Sequence, residues 1–196
     1  MTPSNLAEKL DERFTCGQYY QWDDGERWEL IDGVPYNMTP APVRRHQGIL
    51  MKVSRIVGNF LEGKPCKVYF APFDVRLPDF SDQDDDEVPT VVQPDLVVVC
   101  DEKKLDDRGC RGAPDLVVEI LSPSTSRKDL TVKFDLYERV GVREYWVIHP
   151  TEESLMIFTL GDDARYGRPL RYGRGDMAVS CVLEGLEMSL EEVFGE

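Results

Sequence analysis

The sequence predicts an α/β protein in which a central mixed β-sheet is flanked by helices. Three observations carry this: an amphipathic stretch over 46–62, two nearly continuous apolar runs over 93–100 and 113–122, and a second helical stretch over 126–140. With the neighbouring strands, the order is helix, three strands, helix, two strands, which suits layered packing around a sheet.

The elements follow in chain order. Residues 27–38, RWELIDGVPYNM, place Asp32-Gly33 between two strand-like halves and predict an N-terminal β-hairpin. In 46–62 the apolar residues fall at 49, 50, 53, 56, 57, 60 and 61, while Lys52, Arg55, Asn59 and Glu62 take the other side. Gly63 stops this helix and Pro65 follows. Strands are predicted at 66–77, 93–100 and 113–122; the last two lack alternation, as central strands covered on both faces do. A helix over 126–140, ended by Gly141, leads to paired strands at 144–150 and 154–160. The segment SLEEVF is a short helix capped by Ser189.

Length and composition bound the rest. The 196 residues suit a single domain over 1–196, and 41% hydrophobic residues argue against wholesale disorder. No apolar run approaches the ~20 residues of a membrane span, and MTPSNLAEKLDERF lacks the apolar core of a secretory leader. Five cysteines without a CxxC pair argue against a disulfide framework or zinc ribbon, and for a reducing, cytoplasmic setting. Residues 79–87, DFSDQDDDE, hold six carboxylates without a base and read as a solvated loop.

Two charged residues break the apolar pattern. Glu119 sits inside LVVEIL; a carboxylate in a covered strand costs several kcal/mol unless it neutralises, pairs or binds a cation. The bland alternative is a strand end emerging before Ser122-Pro123. In 126–140, Leu130, Phe134, Leu136, Tyr137 and Val140 form an apolar arc, and Lys133 falls inside it, about 60° from Leu130 on the helical wheel. Its ammonium therefore points toward the sheet or snorkels past it. Asp129 lies at the edge of the arc and reads as a capping residue with Ser126, or as an i,i+4 partner of Lys133.

If 93–100 and 113–122 are antiparallel neighbours, a register pairing 97 with 117 also sets Asp95 opposite Glu119. Carboxylates opposed at ~5 Å repel unless a cation lies between them, and two carboxylates with water and a phosphate commonly hold Mg²⁺. Asp115 falls at the other end of its strand and reads as a turn residue.

The stretch VVQPDLVVVCD…RGAPDLVVEILSPSTSRKDLTVKFDLYERVGVREYWVIHP, with WELIDG, RHQGIL and APFDVRL upstream, resembles the Uma-two family of restriction endonucleases in the PD-(D/E)XK nuclease superfamily. The resemblance covers about residues 25–160. It implies a restriction-endonuclease-like core, with Asp95 and Glu119 as metal ligands. Leu121 stands where the superfamily motif has its lysine, and the resemblance makes Lys133 the displaced equivalent. His46 matches a family position and is a catalytic candidate beside the plainer reading of a local helix contact. Gln93 and Ser122 flank the carboxylates as potential partners of ligand waters. Glu29 is a third carboxylate, better read as an exposed strand charge; His149 and the cysteines read as structural.

The expectation is a metal-dependent endonuclease hydrolysing phosphodiester bonds in DNA, with Mg²⁺ or substituting Mn²⁺ held by Asp95 and Glu119 and assisted by Lys133. The alternative is a catalytically silent nuclease fold kept for nucleic-acid or protein binding. The resemblance also suggests a homodimer, and no membrane partner is expected. The net charge of −14 is uneven: 43–76 carry a local +5 and 164–175 a further +4, whereas 79–87 and 176–196 each carry −6. A polar molecule with one basic approach, weak non-specific binding and steep salt sensitivity is expected.

Overall fold

The computed structural model describes residues 12–38, 42–123 and 126–195, so most of the N-terminal stretch read against a secretory leader lies outside the described residues. After a short helix α1 (Cys16–Tyr19) come β1 (Trp28–Ile31), β2 (Val34–Asn37) and the long α2 (Arg44–Leu61). Then follow β3 (Lys67–Phe70), β4 (Val75–Arg76), β5 (Val91–Val92), β6 (Leu96–Val99), β7 (Leu105–Asp106), β8 (Gly109–Arg111) and β9 (Leu116–Ile120). A helical stretch comprises α3 (Ser126–Lys128), a π-helical turn (Asp129–Lys133) and α4 (Phe134–Val140). The chain continues through β10 (Glu144–His149), β11 (Ser154–Thr159), β12 (Leu170–Gly173), β13 (Met177–Val179), β14 (Glu187–Ser189) and α5 (Leu190–Phe194).

The strands form two mixed sheets, β2-β1-β5-β4-β8-β7 and β12-β11-β10-β9-β6-β3, and a separate β13-β14 hairpin. In the second sheet β6 and β9 are antiparallel, pairing Val97 with Val117, and β9 and β10 are parallel, pairing Glu119 with Val147. The expected register of the two apolar strands is therefore present. Their alternate residues enter two cores, which is why these strands are apolar throughout. Leu96, Val98, Leu116, Val118 and Ile120 pack with α2 and α5, whereas Val97, Val99, Val117 and Leu121 pack with Val75, Val92, Leu136 and Tyr137.

Local chemistry explains several boundaries. The β1–β2 hairpin turns on Asp32 and Gly33, with φ of 51° and 77°, the left-handed pair a two-residue turn requires. Gly141, at φ 85°, ends α4 by donating to the Glu138 carbonyl at 3.2 Å. Ser189 caps α5 by accepting from the Glu192 amide. The run 66–77, expected as one strand, is two: Pro72 has no N–H for the ladder, and the chain leaves the second sheet after Phe70 to enter the first at Val75.

Four further expectations are corrected. Cys66 and Cys100, opposite each other beyond the Lys67–Val99 pair, form a disulfide, so these thiols are not unlinked. The acidic 79–87 segment is not merely a solvated loop: Asp85 begins a 3₁₀ turn and accepts from Arg76, while Arg111 reaches it at 3.2 Å. Arg76, counted above toward a basic approach, is only 1% exposed and also pairs with Asp106 at 2.6 Å. Leu130, expected on the apolar arc, is 40% exposed, because the π turn breaks the 100° periodicity on which that arc was drawn. Among the described residues, no helix is long and apolar enough to cross a membrane.

Candidate active site

The β6–β9 register, continued by one pair beyond Leu96 and Val118, brings Asp95 opposite Glu119 on the face shared with Val97 and Val117. Asp95, at the mouth of β6, is half-buried. Its Oδ2 accepts from the Ile120 amide at 2.7 Å and lies 3.1 Å from His46 Nε2. His46 occupies the first turn of α2 and is buried.

Glu119 is buried, and its Oε1 accepts from Lys133 Nζ at 2.7 Å and from the Tyr137 hydroxyl at 2.9 Å. Burial pushes its carboxyl up to about 8; Lys133 opposes the rise, and the carboxylates of Asp129, Asp95 and Glu29 add to it. The lysine is held charged: burial alone would lower its pKa, but Glu119, Glu29 and Asp129 together raise it. Lys133 is the last residue of the π turn. This wider turn puts Asp129 and Lys133 inside together while Leu130 faces out. Asp129 is buried and lies 4.0 Å from Lys133 Nζ, the i,i+4 partnership that was one of its two readings from the sequence.

Glu29 overturns the expectation of an exposed strand charge. It is fully buried, with Oε1 at 2.7 Å from Lys133 Nζ and Oε2 at 2.7 Å from Lys128 Nζ. Burial would raise its carboxyl, but Lys133 and then Lys128 outweigh burial and hold it below the usual carboxylate range. Lys133 thus bridges two buried glutamates from two different sheets. The cluster gathers four carboxylates (Glu29, Asp95, Glu119, Asp129) against two lysines and one imidazole.

The remaining candidates sit further out. The Gln93 amide N–H donates to Glu29 Oε1 at 2.9 Å, but its side chain turns to Asp74, Tyr19 and Arg27. The Ser122 carbonyl accepts from the Ser126 amide at 3.0 Å, at the start of α3. Asp115 accepts from the Cys100 amide at 2.8 Å, and His149 from the Glu152 amide at 3.2 Å; both tie backbone in place. Glu144 is a further buried carboxylate, satisfied by the Trp146 indole, the Ser180 hydroxyl and the Cys181 amide. Sequence reasoning passed over Lys128 and Tyr137 as participants and misplaced Glu29. A lone carboxylate within the apolar WELI is the same signal that Glu119 gives in LVVEIL. Among the described residues, no group of three or more His, Cys, Asp or Glu side chains is arranged to hold a metal ion.

The Uma2 family, described as "Putative restriction endonuclease", matches residues 16–191. An uncharacterized protein of Synechocystis sp. is 27% identical over 149 residues, covering 74% of each chain. A crystal structure of a "putative nuclease belonging to DUF820" from Anabaena variabilis superposes with a TM-score of 0.72 at 16% identity, covering 92% of this chain and 97% of that one. The last similarity shows a shared nuclease-like mixed α/β fold.

Proposed function

The chain belongs to the Uma2 family, and from that premise we propose that it hydrolyses phosphodiester bonds in DNA, with Asp95 and Glu119 holding a divalent cation. The observation that carries the reading is Glu119: a buried carboxylate with one lysine partner, in a cluster with more carboxylates than cations. A hard cation taking oxygen donors, Mg²⁺ or Mn²⁺, fits such a donor set, because its charge would counter the burial, and then the neighbouring carboxylates, that raise Glu119. When bound, the ion would supply positive charge to the scissile phosphate and acidify an attacking water.

The protein's own groups do the positioning. Lys133 and Tyr137 converge on Oε1 of Glu119, and Glu29 anchors Lys133 from the opposite sheet. The Ile120 amide fixes Oδ2 of Asp95. Each proposed ligand thus commits one oxygen to the protein in these bonds, which sets the plane of its carboxyl group.

Cleavage of duplex and single-stranded DNA in Mg²⁺ or Mn²⁺ tests the proposal. Asp95→Ala, Glu119→Gln and Lys133→Met should each reduce the rate by at least about 10²-fold while circular dichroism stays native-like. Wild-type protein that cuts no DNA with either metal, or a Glu119→Gln protein that cuts equally well, refutes it.

One observation favours a second reading, a binding module without turnover. Lys133 is engaged by two glutamates, and the arginines Arg45, Arg55 and Arg174 are each engaged by a glutamate. Calorimetry with Mn²⁺ separates the two readings: the module binds none.

A further inference from the structure

We propose that His46 is a positioning residue for Asp95, orienting the carboxylate so that one oxygen faces the cation; this rests on the metal-dependent reading above. The buried stripe of α2 is otherwise apolar: Ile49, Leu50, Val53, Val57 and Leu61. His46 heads that stripe and is 6% exposed. A buried imidazole costs free energy unless its nitrogens are bonded. Here Nε2 meets Asp95 Oδ2 at 3.1 Å, and Nδ1 is buried with no hydrogen-bond partner. The side-chain hydrogen bonding of this ring is therefore directed at Asp95.

The arrangement at Asp95 gives the contact its direction. A carboxylate oxygen accepts, so a hydrogen bond to Oδ2 places the proton on Nε2, whether the ring is neutral or cationic. The Ile120 amide, from the end of β9, donates to the same Oδ2. Two donors from two elements on one oxygen fix both the position and the plane of the group, and Oδ1 is left out of this clamp. A satisfied core histidine would place both nitrogens against fixed partners. Here Nδ1 has no such partner, and the ring's one side-chain hydrogen bond goes to a proposed ligand, beside a backbone contact with Ile120. Removing such a support costs a metal centre about 10–100-fold in affinity.

The test uses the full chain and Mn²⁺ titrated by calorimetry, with thermal unfolding as the folding control. His46→Leu, which keeps volume and loses the donor, should weaken Mn²⁺ binding about 10–100-fold. His46→Gln, whose amide N–H can stand in for Nε2–H, should recover most of that loss. In metal-free protein, ¹⁵N NMR of the ring should show Nε2 protonated. Wild-type binding matched by His46→Leu overturns the orienting role and leaves the metal site standing. An unprotonated Nε2 also overturns it, and this readout holds even if His46→Leu does not fold. Wild-type protein that binds no Mn²⁺ overturns the metal reading, and the orienting role with it.

Discussion

At the scale of the residue, Lys133 and the two glutamates it joins carry the greatest energetic consequence. Glu29 and Glu119 reach it at 2.7 Å from separate sheets, all three side chains being buried. Removing one member of a buried ion pair leaves an uncompensated charge and costs about 3–5 kcal/mol. Glu29→Ala should therefore destabilise the protein by about that amount in urea unfolding, because it strips Lys133 and Lys128 of a shared partner. A loss under about 1 kcal/mol would mean that the pair behaves as a solvated one. Glu119 and Lys133 were legible in the sequence because each interrupts an apolar pattern long enough to define a face. Glu29 gives the same interruption in a strand of only four residues, where the pattern is too short to tell a buried edge from an exposed one.

At the scale of the element, the helix over 126–140 shows both what periodicity can deliver and where it stops. Its extent, its Gly141 terminus and the inward Lys133 follow from the pattern. The π turn leaves no compositional mark, so Leu130 was assigned to the wrong side. The break between β3 and β4 had a visible signal in Pro72, overridden by the apolar residues around it. The Cys66–Cys100 disulfide had none, since cross-strand proximity depends on the β3–β6 register rather than on spacing along the chain. It ties an edge strand to the strand that leads from Asp95 and closes a loop with a sequence separation of 34. On the chain-entropy account, Cys66→Ser with Cys100→Ser should cost about 3–4 kcal/mol, read by urea unfolding against the oxidised protein. Unchanged stability would show that the denatured chain gains little freedom when the link is gone.

At the scale of the whole molecule, charge is organised by pairing across the surface. Hydrogen bonds from Arg45 and Arg174 hold the Glu153 carboxyl below its ordinary value, and Arg174 does the same for Glu191. A carboxyl depressed in the folded state adds stability above the unfolded carboxylate range, near pH 4.3, and loses it as pH falls through the folded pKa. Thermal unfolding followed from about pH 6 to pH 3 should show a falling midpoint. The fall should be smaller in Glu153→Gln, which no longer has that proton to bind. An identical fall in that variant would exclude Glu153 as a contributor.

The same pairing changes how this surface would meet a polyanion. Arg45, Arg55 and Arg174 already have carboxylate partners at 2.6–3.2 Å. An incoming phosphate would have to displace a tethered glutamate rather than only a diffuse cloud of small ions. Contact becomes an exchange between rival anions, one built into the protein and one arriving. Fewer condensed ions are liberated per arginine engaged, so affinity would vary with salt less steeply than a count of basic residues implies. The surface thus carries its own competitor, which would shorten a polyanion's stay on these three arginines.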